Sequence, residues 1–323
     1  MQKQYQVWQL INESLQQNIP VMLLYVLESR GSSPGRQGFS MAVNVHGEME
    51  GSIGGGIMEH KFVEMAKEKL KDETKKSQLK KQIHDKTAVN NQSGMICSGE
   101  QTILLYPVQP ADTSAVEEII ASLQAFNNGT LCLSPAGLVF SASVPEEDYF
   151  FSFKSETEWE YREKTGYKNH LFIIGGGHCA LALSRLMREM DFYITLYEER
   201  KDLNTLERNH FAHEIIYVDD YTGLGNLIPS GRNHYVVIMT FGYRTDDIAL
   251  RSIINKQYTY LGVLGSKTKM EKLFTAYREE GVNEEWLQRI YSPVGLEINS
   301  RTPEEIAVSI AAEIIKVKNS LLS

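Results

Sequence analysis

Residues 170–200, HLFIIGGGHCALALSRLMREMDFYITLYEER, constrain the fold of this chain more than any other stretch. The apolar run Leu171, Phe172, Ile173, Ile174 meets three glycines, after which Leu181, Leu183, Leu186 and Met187 recur at helical spacing. A second apolar run over 192–197 then closes on Glu198 and Glu199. Strand, glycine turn, helix, strand and acid in that order form the dinucleotide-binding βαβ unit. Each position has its own physical reason. Gly175 allows a tight turn off the strand, Gly177 lets backbone approach a pyrophosphate, and Ala180 keeps the helix close to the sheet. The first helical amides, from His178 onward, offer an anion site reinforced by the helix dipole. Glu198 sits where a carboxylate accepts from ribose hydroxyls. The same glycines would also serve a strand-to-helix turn that binds nothing.

The pattern continues to the end of the chain. Residues 213–218, 235–240 (YVVIMT) and 259–264 read as three further strands, and the unbroken apolar run of the middle one suits a parallel strand buried on both faces. Helical segments begin near Asp246-Asp247, Lys267 and Thr302. In the last, Thr302 reads as N-cap, Pro303 as first helical residue and Glu305 as the second half of a capping box. Strand and helix alternate, which predicts a doubly wound sheet. Ligands bind such sheets outside the carboxyl ends of the strands. The polar groups expected around that crevice are Thr240, Arg244, Ser266 and Lys267, unless they are simply solvated loop residues. His178 opens the first helix, where the dipole opposes an imidazolium; a neutral histidine is expected, as ligand contact or as local cap.

The chain has 323 residues, and domains run at about one per 100–200 residues, so two domains are expected. We place them at 1–145 and 169–323, with residues 146–168 as a connecting segment, part of it packed because of its aromatic content. The fold class is then α/β: a C-terminal Rossmann-like doubly wound parallel sheet plus an N-terminal α/β domain with a mixed sheet. In the N-terminal half, an amphipathic helix carries Val7, Leu10, Ile11 and Leu15, and residues 21–27 form a buried strand entering the polar loop ESRGSSPGRQG. A strand over 39–45 turns back at His46-Gly47, and GSIGGG opens a second helix. A net charge of −8 without a basic stripe speaks against nucleic acid as partner. No apolar run reaches membrane-spanning length and the N-terminus does not read as a signal peptide, so the expected location is cytoplasmic.

Chemistry-bearing residues are sparse. There is no Ser-His-Asp order, HExxH pair or metal-spaced cysteine cluster. Cys97, Cys132 and Cys179 show no CxxC spacing and suit reduced thiols. Arg30, Gly31, Ser32 and Ser33, together with the Gly54, Gly55 and Gly56 turn, supply donors and hydroxyls suited to an anion. Cys97 lies in a Gly/Ser-flanked loop able to present a thiolate, although a free cysteine more often acts as a small hydrophobe. On residues alone the reading is a nucleotide-binding α/β protein, with an NAD(P)-dependent oxidoreductase using the crevice as the enzymatic alternative.

Six pieces together resemble one known family: Glu28-Ser29-Arg30-Gly31-Ser32-Ser33-Pro34, Gly51-Ser52-Ile53-Gly54-Gly55-Gly56, Met95-Ile96-Cys97-Ser98-Gly99-Glu100, Gly175-Gly176-Gly177-His178, Gly262-Val263-Leu264-Gly265-Ser266-Lys267 and the stretch SPVGLEINSRTPEEIAVSI. They stand in the order of the XdhC/CoxI family, the xanthine dehydrogenase accessory proteins. The resemblance implies a chaperone without turnover of its own, which binds the molybdenum cofactor (molybdopterin) as cargo. It would assist sulfuration and insertion into a xanthine dehydrogenase-type molybdoenzyme, with a cysteine desulfurase as a further partner; separately, two domains with several apolar faces lead us to expect a homodimer. It also implies Cys97 as the thiolate that holds molybdenum, a soft ligand for a metal centre. The glycine turns, with Arg30, Ser32, Ser33, His178, Glu198, Ser266 and Lys267, would accept the cofactor's phosphate or a nucleotide such as NAD(P). The chain departs from the family in having Phe241-Gly242-Tyr243 where histidines are usual, and Ser98 where glycine commonly follows the cysteine.

Overall fold

A computed structural model describes residues 1–71, 76–83 and 99–320, with Ile83 described by its backbone only. It divides into two compact units, Met1–Tyr167 and Lys168–Ser323.

In the first unit, α1 (Gln2–Gln16) leads into β1 (Val21–Gly31), β2 (Ser40–Asn44), β3 (Met49–Gly51), α2 (Gly56–Lys71), β4 (Gln78–Ile83) and β5 (Gly99–Pro107). The five strands form one sheet in the order β3-β2-β1-β5-β4. After it come α3 (Thr113–Gln124), β6 (Gly129–Ser134), β7 (Gly137–Ser141), β8 (Tyr149–Ser155) and β9 (Glu158–Thr165), the strands forming a second sheet ordered β7-β6-β9-β8. Every pairing described in this unit is antiparallel, which corrects the expected mixed sheet to antiparallel ones within the α/β class. The apolar run of β1 has a simple cause. Leu23, Tyr25 and Leu27 enter a core with Trp8, Ile119, Leu131 and Tyr161, while Met22, Leu24 and Val26 enter another beneath Met58, Phe62 and Ala66 of α2. A strand covered on both faces has no polar side to alternate with.

Residues 149–165, placed by the sequence in a connecting segment, are β8 and β9 of the second sheet, and the boundary between units falls after Tyr167. Their alternation is real, with Trp159, Tyr161, Glu163 and Thr165 all buried. A carboxylate at one of the inward positions hides the pattern in the sequence.

The second unit begins with β10 (Asn169–Ile174), α4 (His178–Glu189), β11 (Phe192–Glu198), α5 (Asn204–Glu207), β12 (Glu214–Tyr217) and α6 (Leu224–Leu227). It continues through β13 (Gly231–Ile238), α7 (Tyr243–Ile253), β14 (Tyr258–Val263), α8 (Lys267–Glu279), α9 (Glu284–Leu287), β15 (Ile290–Tyr291) and α10 (Pro303–Ser320). The six strands are parallel in the order β12-β11-β10-β13-β14-β15, the 3-2-1-4-5-6 order of a doubly wound dinucleotide fold. Leu171 and Ile173 face the core under α4 and α10, and Phe172 and Ile174 face the opposite core under α7 and α8. The capping box opening α10 is present: the Glu305 amide donates to Thr302 Oγ1 at 3.2 Å and the Thr302 amide to Glu305 Oε2 at 3.2 Å. The two-residue strand β15 has too little sequence to announce itself.

Candidate functional sites

In the N-terminal unit, motif pieces far apart in sequence come together at one end of the five-stranded sheet. β1 runs to Gly31, which pairs with Gly99, and Arg30 pairs with Glu100. The contacts are between backbones. A Cβ on Gly99 would come within 2.6 Å of Ser32, one on Gly54 within 2.5 Å of the Gly35 nitrogen, and one on Gly35 within 2.1 Å of the Ile53 carbonyl oxygen. The buried amide of Gln101 donates to the carbonyls of Gly35 at 3.0 Å and Ile53 at 3.5 Å, tying the loop after β1, the glycine turn and β5 together. Ser33 is buried and donates to the Gly35 carbonyl at 3.1 Å, whereas Ser32 and Arg30 are exposed, the latter paired with Glu28 at 2.8 Å.

The turn Gly54-Gly55-Gly56 takes positive φ at all three residues, which glycine tolerates and other residues do not. It wraps a carboxylate of its own chain. Oxygen Oε2 of Glu59 accepts from the Ser52 hydroxyl at 2.6 Å and from the amides of Ile53 at 2.9 Å and Gly55 at 3.0 Å. Donors expected to hold an external anion are therefore engaged internally. Glu59 and Gln101 were not singled out by sequence; the acid in the first turn of α2 was the available signal. Cys97 and Ser98, immediately before Gly99 in sequence, lie outside the described residues. The thiols of Cys132 and Cys179 are not activated: burial and then Glu160 push the first up, and burial and then Glu304 push the second up.

In the C-terminal unit the loops after β10, β11, β13 and β14 lie at the carboxyl ends of the strands, and the order reverses between β10 and β13. Gly175 has φ +105°, and a Cβ there would lie 2.5 Å from the Met239 carbonyl oxygen, so this turn is pressed against the loop after β13. Gly177 is different: a Cβ there would meet nothing within 4 Å. It is the N-cap of α4 and offers no side chain to the helix, so the amides of the first turn, at exposed His178 and beyond, are open to a ligand.

Glu198 occupies the acid position at the end of β11 but is 0% exposed. Its two oxygens accept six bonds: from the Gly176 amide at 2.6 Å, the Glu199 and Arg200 amides at 3.0 Å each, Arg200 Nε at 2.9 Å, Arg200 Nη2 at 2.8 Å and the Tyr221 hydroxyl at 3.2 Å. Burial pushes its carboxyl up, but the Arg200 side chain and the amides of Arg200 and Gly176 outweigh it and hold the group below its usual range. The expected ribose acceptor is thus an internal anchor for the glycine turn and for Arg200. A local sequence pattern could not show this, because two of the six donors, the Gly176 amide and the Tyr221 hydroxyl, come from elsewhere in the chain and meet the carboxylate only in the folded domain.

Arg200 in turn has its guanidinium carbon 5.0 Å from the ring centroid of Phe241, which is 71% exposed on the loop after β13. Beside it, Thr240 donates its hydroxyl and its amide to Asp246, at 2.6 and 3.0 Å, and Lys269 of α8 forms an ion pair with the same buried carboxylate. This network, unseen in the sequence, fixes the loop that carries Phe241. Ser266 caps α8 by accepting from the Lys269 amide at 3.3 Å. Lys267 reaches Glu297 at 3.7 Å in the open, and Arg244 stands exposed in the first turn of α7. Among the described residues, no group of three His, Cys, Asp or Glu is arranged to hold a metal ion, and no helix is long and apolar enough to cross a membrane.

Strand order and glycine turn define the class: a protein built on a Rossmann-type domain, with an antiparallel α/β domain preceding it in the chain. The family described as the XdhC Rossmann domain matches residues 171–314, and the XdhC and CoxI family matches residues 14–80. The chain belongs to the XdhC/CoxI family of xanthine dehydrogenase accessory proteins. It is 25% identical over 307 residues to the uncharacterized protein YqeB of Escherichia coli (strain K12), covering 94% of this chain and 45% of that protein. It is 34% identical over 153 residues to a probable xanthine dehydrogenase subunit of Bacillus subtilis (strain 168), covering 47% of this chain and 43% of that protein. The chain therefore spans under half the length of these relatives. The crystal structure of a Bacillus halodurans protein described as a xanthine dehydrogenase shares the fold, with a TM-score of 0.69 over 96% of this chain and 95% of that one at 24% identity.

Proposed function

We propose that this chain is an accessory protein that holds the molybdenum cofactor as cargo and passes it to a xanthine dehydrogenase-type molybdoenzyme, without turnover of its own. The observation that carries the reading is the convergence of residues 30–35, 53–56 and 99–101 at one end of a single sheet. These are segments separated in the chain and fixed to one another through backbone contacts. Exposed Arg30 and Ser32 on this rim suit a polar ligand bearing a phosphate, with the glycine turn beneath them held in shape by Glu59. Cys97, two positions before Gly99, supplies the soft thiolate for molybdenum. The other two thiols are disfavoured as thiolates by their surroundings. Sulfuration of the cargo while it is held, with a cysteine desulfurase as sulfur donor, follows from the same reading.

The experiment is cofactor retention. Protein produced in a host that makes molybdenum cofactor is purified, and the bound pterin and molybdenum are measured by mass and absorbance. Cys97→Ala lowers retention at least about tenfold, the loss expected for a metal-ligand bond or its supporting partner, while Cys132→Ala retains cofactor as the parent does. Full retention by Cys97→Ala removes the cysteine from the proposal, and no cofactor on the parent protein removes the proposal itself.

A further inference from the structure

The acid at the end of the second Rossmann strand ordinarily accepts from a free ribose diol, and a nearby arginine is the alternative that accommodates a ribose phosphate. In this chain both groups are present and the structure decides between them. Glu198 is fully buried, and its oxygens are taken by backbone, Tyr221 and Arg200. Arg200 gives Nε and Nη2 to that carboxylate side-on, which orients the guanidinium and leaves Nη1 outside the pair. The arginine side chain is 34% exposed, and the group presented to the crevice is a cation in place of an anion. Phe241, from the loop after β13 across the switch point, lays its largely exposed ring against the same guanidinium. Its loop is braced by Thr240, Asp246 and Lys269. An arginine and an aromatic ring held together in this way form a surface on which a purine base stacks, with the cation beside its ribose. Open space at Gly177 and the uncapped start of α4 leave room for the pyrophosphate that joins such a nucleotide to its other half.

We infer that the C-terminal crevice binds a dinucleotide of the NADP(H) class, with the 2′-phosphate on Arg200 and the adenine against Phe241, in preference to one with a free ribose diol. The inference concerns the C-terminal unit alone, so its failure leaves the proposed role of Cys97 standing.

Isothermal titration of the full chain with NADP+, NAD+ and coenzyme A tests it. NADP+ binds at least about tenfold more tightly than NAD+, as a charge-assisted arginine–phosphate pair requires. Arg200→Gln brings the two affinities to within about twofold of each other, since the 2′-phosphate loses its cation while the lost contacts to Glu198 and Phe241 bear on both ligands alike. Phe241→Ala, at an exposed position that leaves the fold intact, weakens both by a similar factor of about tenfold. Arg200→Lys guards against a folding failure of the glutamine variant: it keeps a charge against Glu198, loses the planar fork and lowers the preference severalfold. Equal affinity for NADP+ and NAD+, tighter binding of coenzyme A than of NADP+, no saturable NADP+ binding at about millimolar concentration, or a preference untouched by both Arg200 variants would each overturn the assignment.

Discussion

The Tyr161 hydroxyl donates to Glu163 Oε2 at 2.6 Å from two positions away on the same strand, and Tyr25, from the other sheet, donates to that same oxygen at 2.7 Å. The carboxylate is 1% exposed and joins the two sheets of the N-terminal unit through the core. Glu163→Gln keeps the volume but replaces a charged acceptor by an amide, and hydrogen bonds to charged buried groups contribute about 1.5–3 kcal/mol. We expect the variant to lose about 2 kcal/mol in urea unfolding followed by near-UV signals. An unchanged midpoint would show the carboxylate to be dispensable.

The same network sets an alkaline limit. Burial, then Glu163, raises the hydroxyls of Tyr25 and Tyr161 well above the ordinary tyrosine value. A group whose pKa is raised on folding stabilises the fold below its unfolded pKa, and that contribution is lost as pH rises through the folded one. Stability should therefore fall above about pH 10, and Tyr161→Phe should flatten the fall. Absorbance at the phenolate band during alkaline titration, taken as the difference between the parent and Tyr161→Phe, checks it: a Tyr161 phenolate forming before unfolding begins would refute the coupling.

At the amino ends of the Rossmann strands, His170 stacks on Phe172 at 3.8 Å, hydrogen-bonds Thr195 Oγ1 at 2.8 Å and meets His234 edge-on at 5.8 Å. Burial, then His234 and His213, holds His170 down at about 3, and burial, then Arg188, holds His213 at about 4. Below about pH 6.5 the unfolded chain takes up protons that the folded chain refuses, so stability falls as pH drops from there toward the folded values. His170 contributes up to about 1.4 kcal/mol per pH unit in that window. His170→Gln should reduce the acid slope of the thermal midpoint measured between about pH 7 and 5. A slope equal to that of the parent would assign the acid lability elsewhere.

The glycine turn allows a paired test. Gly175→Ala combines φ +105° with a Cβ placed 2.5 Å from a carbonyl oxygen, so we expect a loss of about 2–3 kcal/mol. Gly177→Ala has φ −73° and open space around its Cβ, so its thermal midpoint should stay within about 1 °C of the parent. Equal midpoints for the two variants would contradict the described turn.

Asp246 is 1% exposed and is the shared acceptor for Thr240 and Lys269. Asp246→Ala leaves a partly buried ammonium and the Thr240 amide without their acceptor, a cost of about 2–4 kcal/mol. Asp246→Ala combined with Lys269→Met should recover part of this, because the stranded charge is removed with its partner. Additive losses in the double variant would mean that the pair does not interact.

How much of this was legible in the sequence depended on the range of the forces involved. Unbroken apolar runs such as residues 171–174 and 235–239 announce parallel strands because burial on both faces removes alternation, and Thr302 with Glu305 announces a helix start because both partners lie within one turn. Residues 149–165 were hidden because Glu163 places a charge at a core position, a choice that makes sense only once Tyr25 arrives from another sheet. Glu198 was placed correctly at the strand end, but its role was not readable there: the Gly176 amide and Tyr221 reach it only in the folded domain.

Gln101 braces Gly35 across 66 positions of chain. During synthesis, the loop that follows β1 is completed early, yet it has nothing to lean on until β5 has left the ribosome, and closing so long a segment is entropically slow. The motif region of the N-terminal unit therefore takes its shape only after β5 is in place. A nascent or truncated chain ending before Gln101 would carry the family's first three sequence signatures without the brace that holds the first two together.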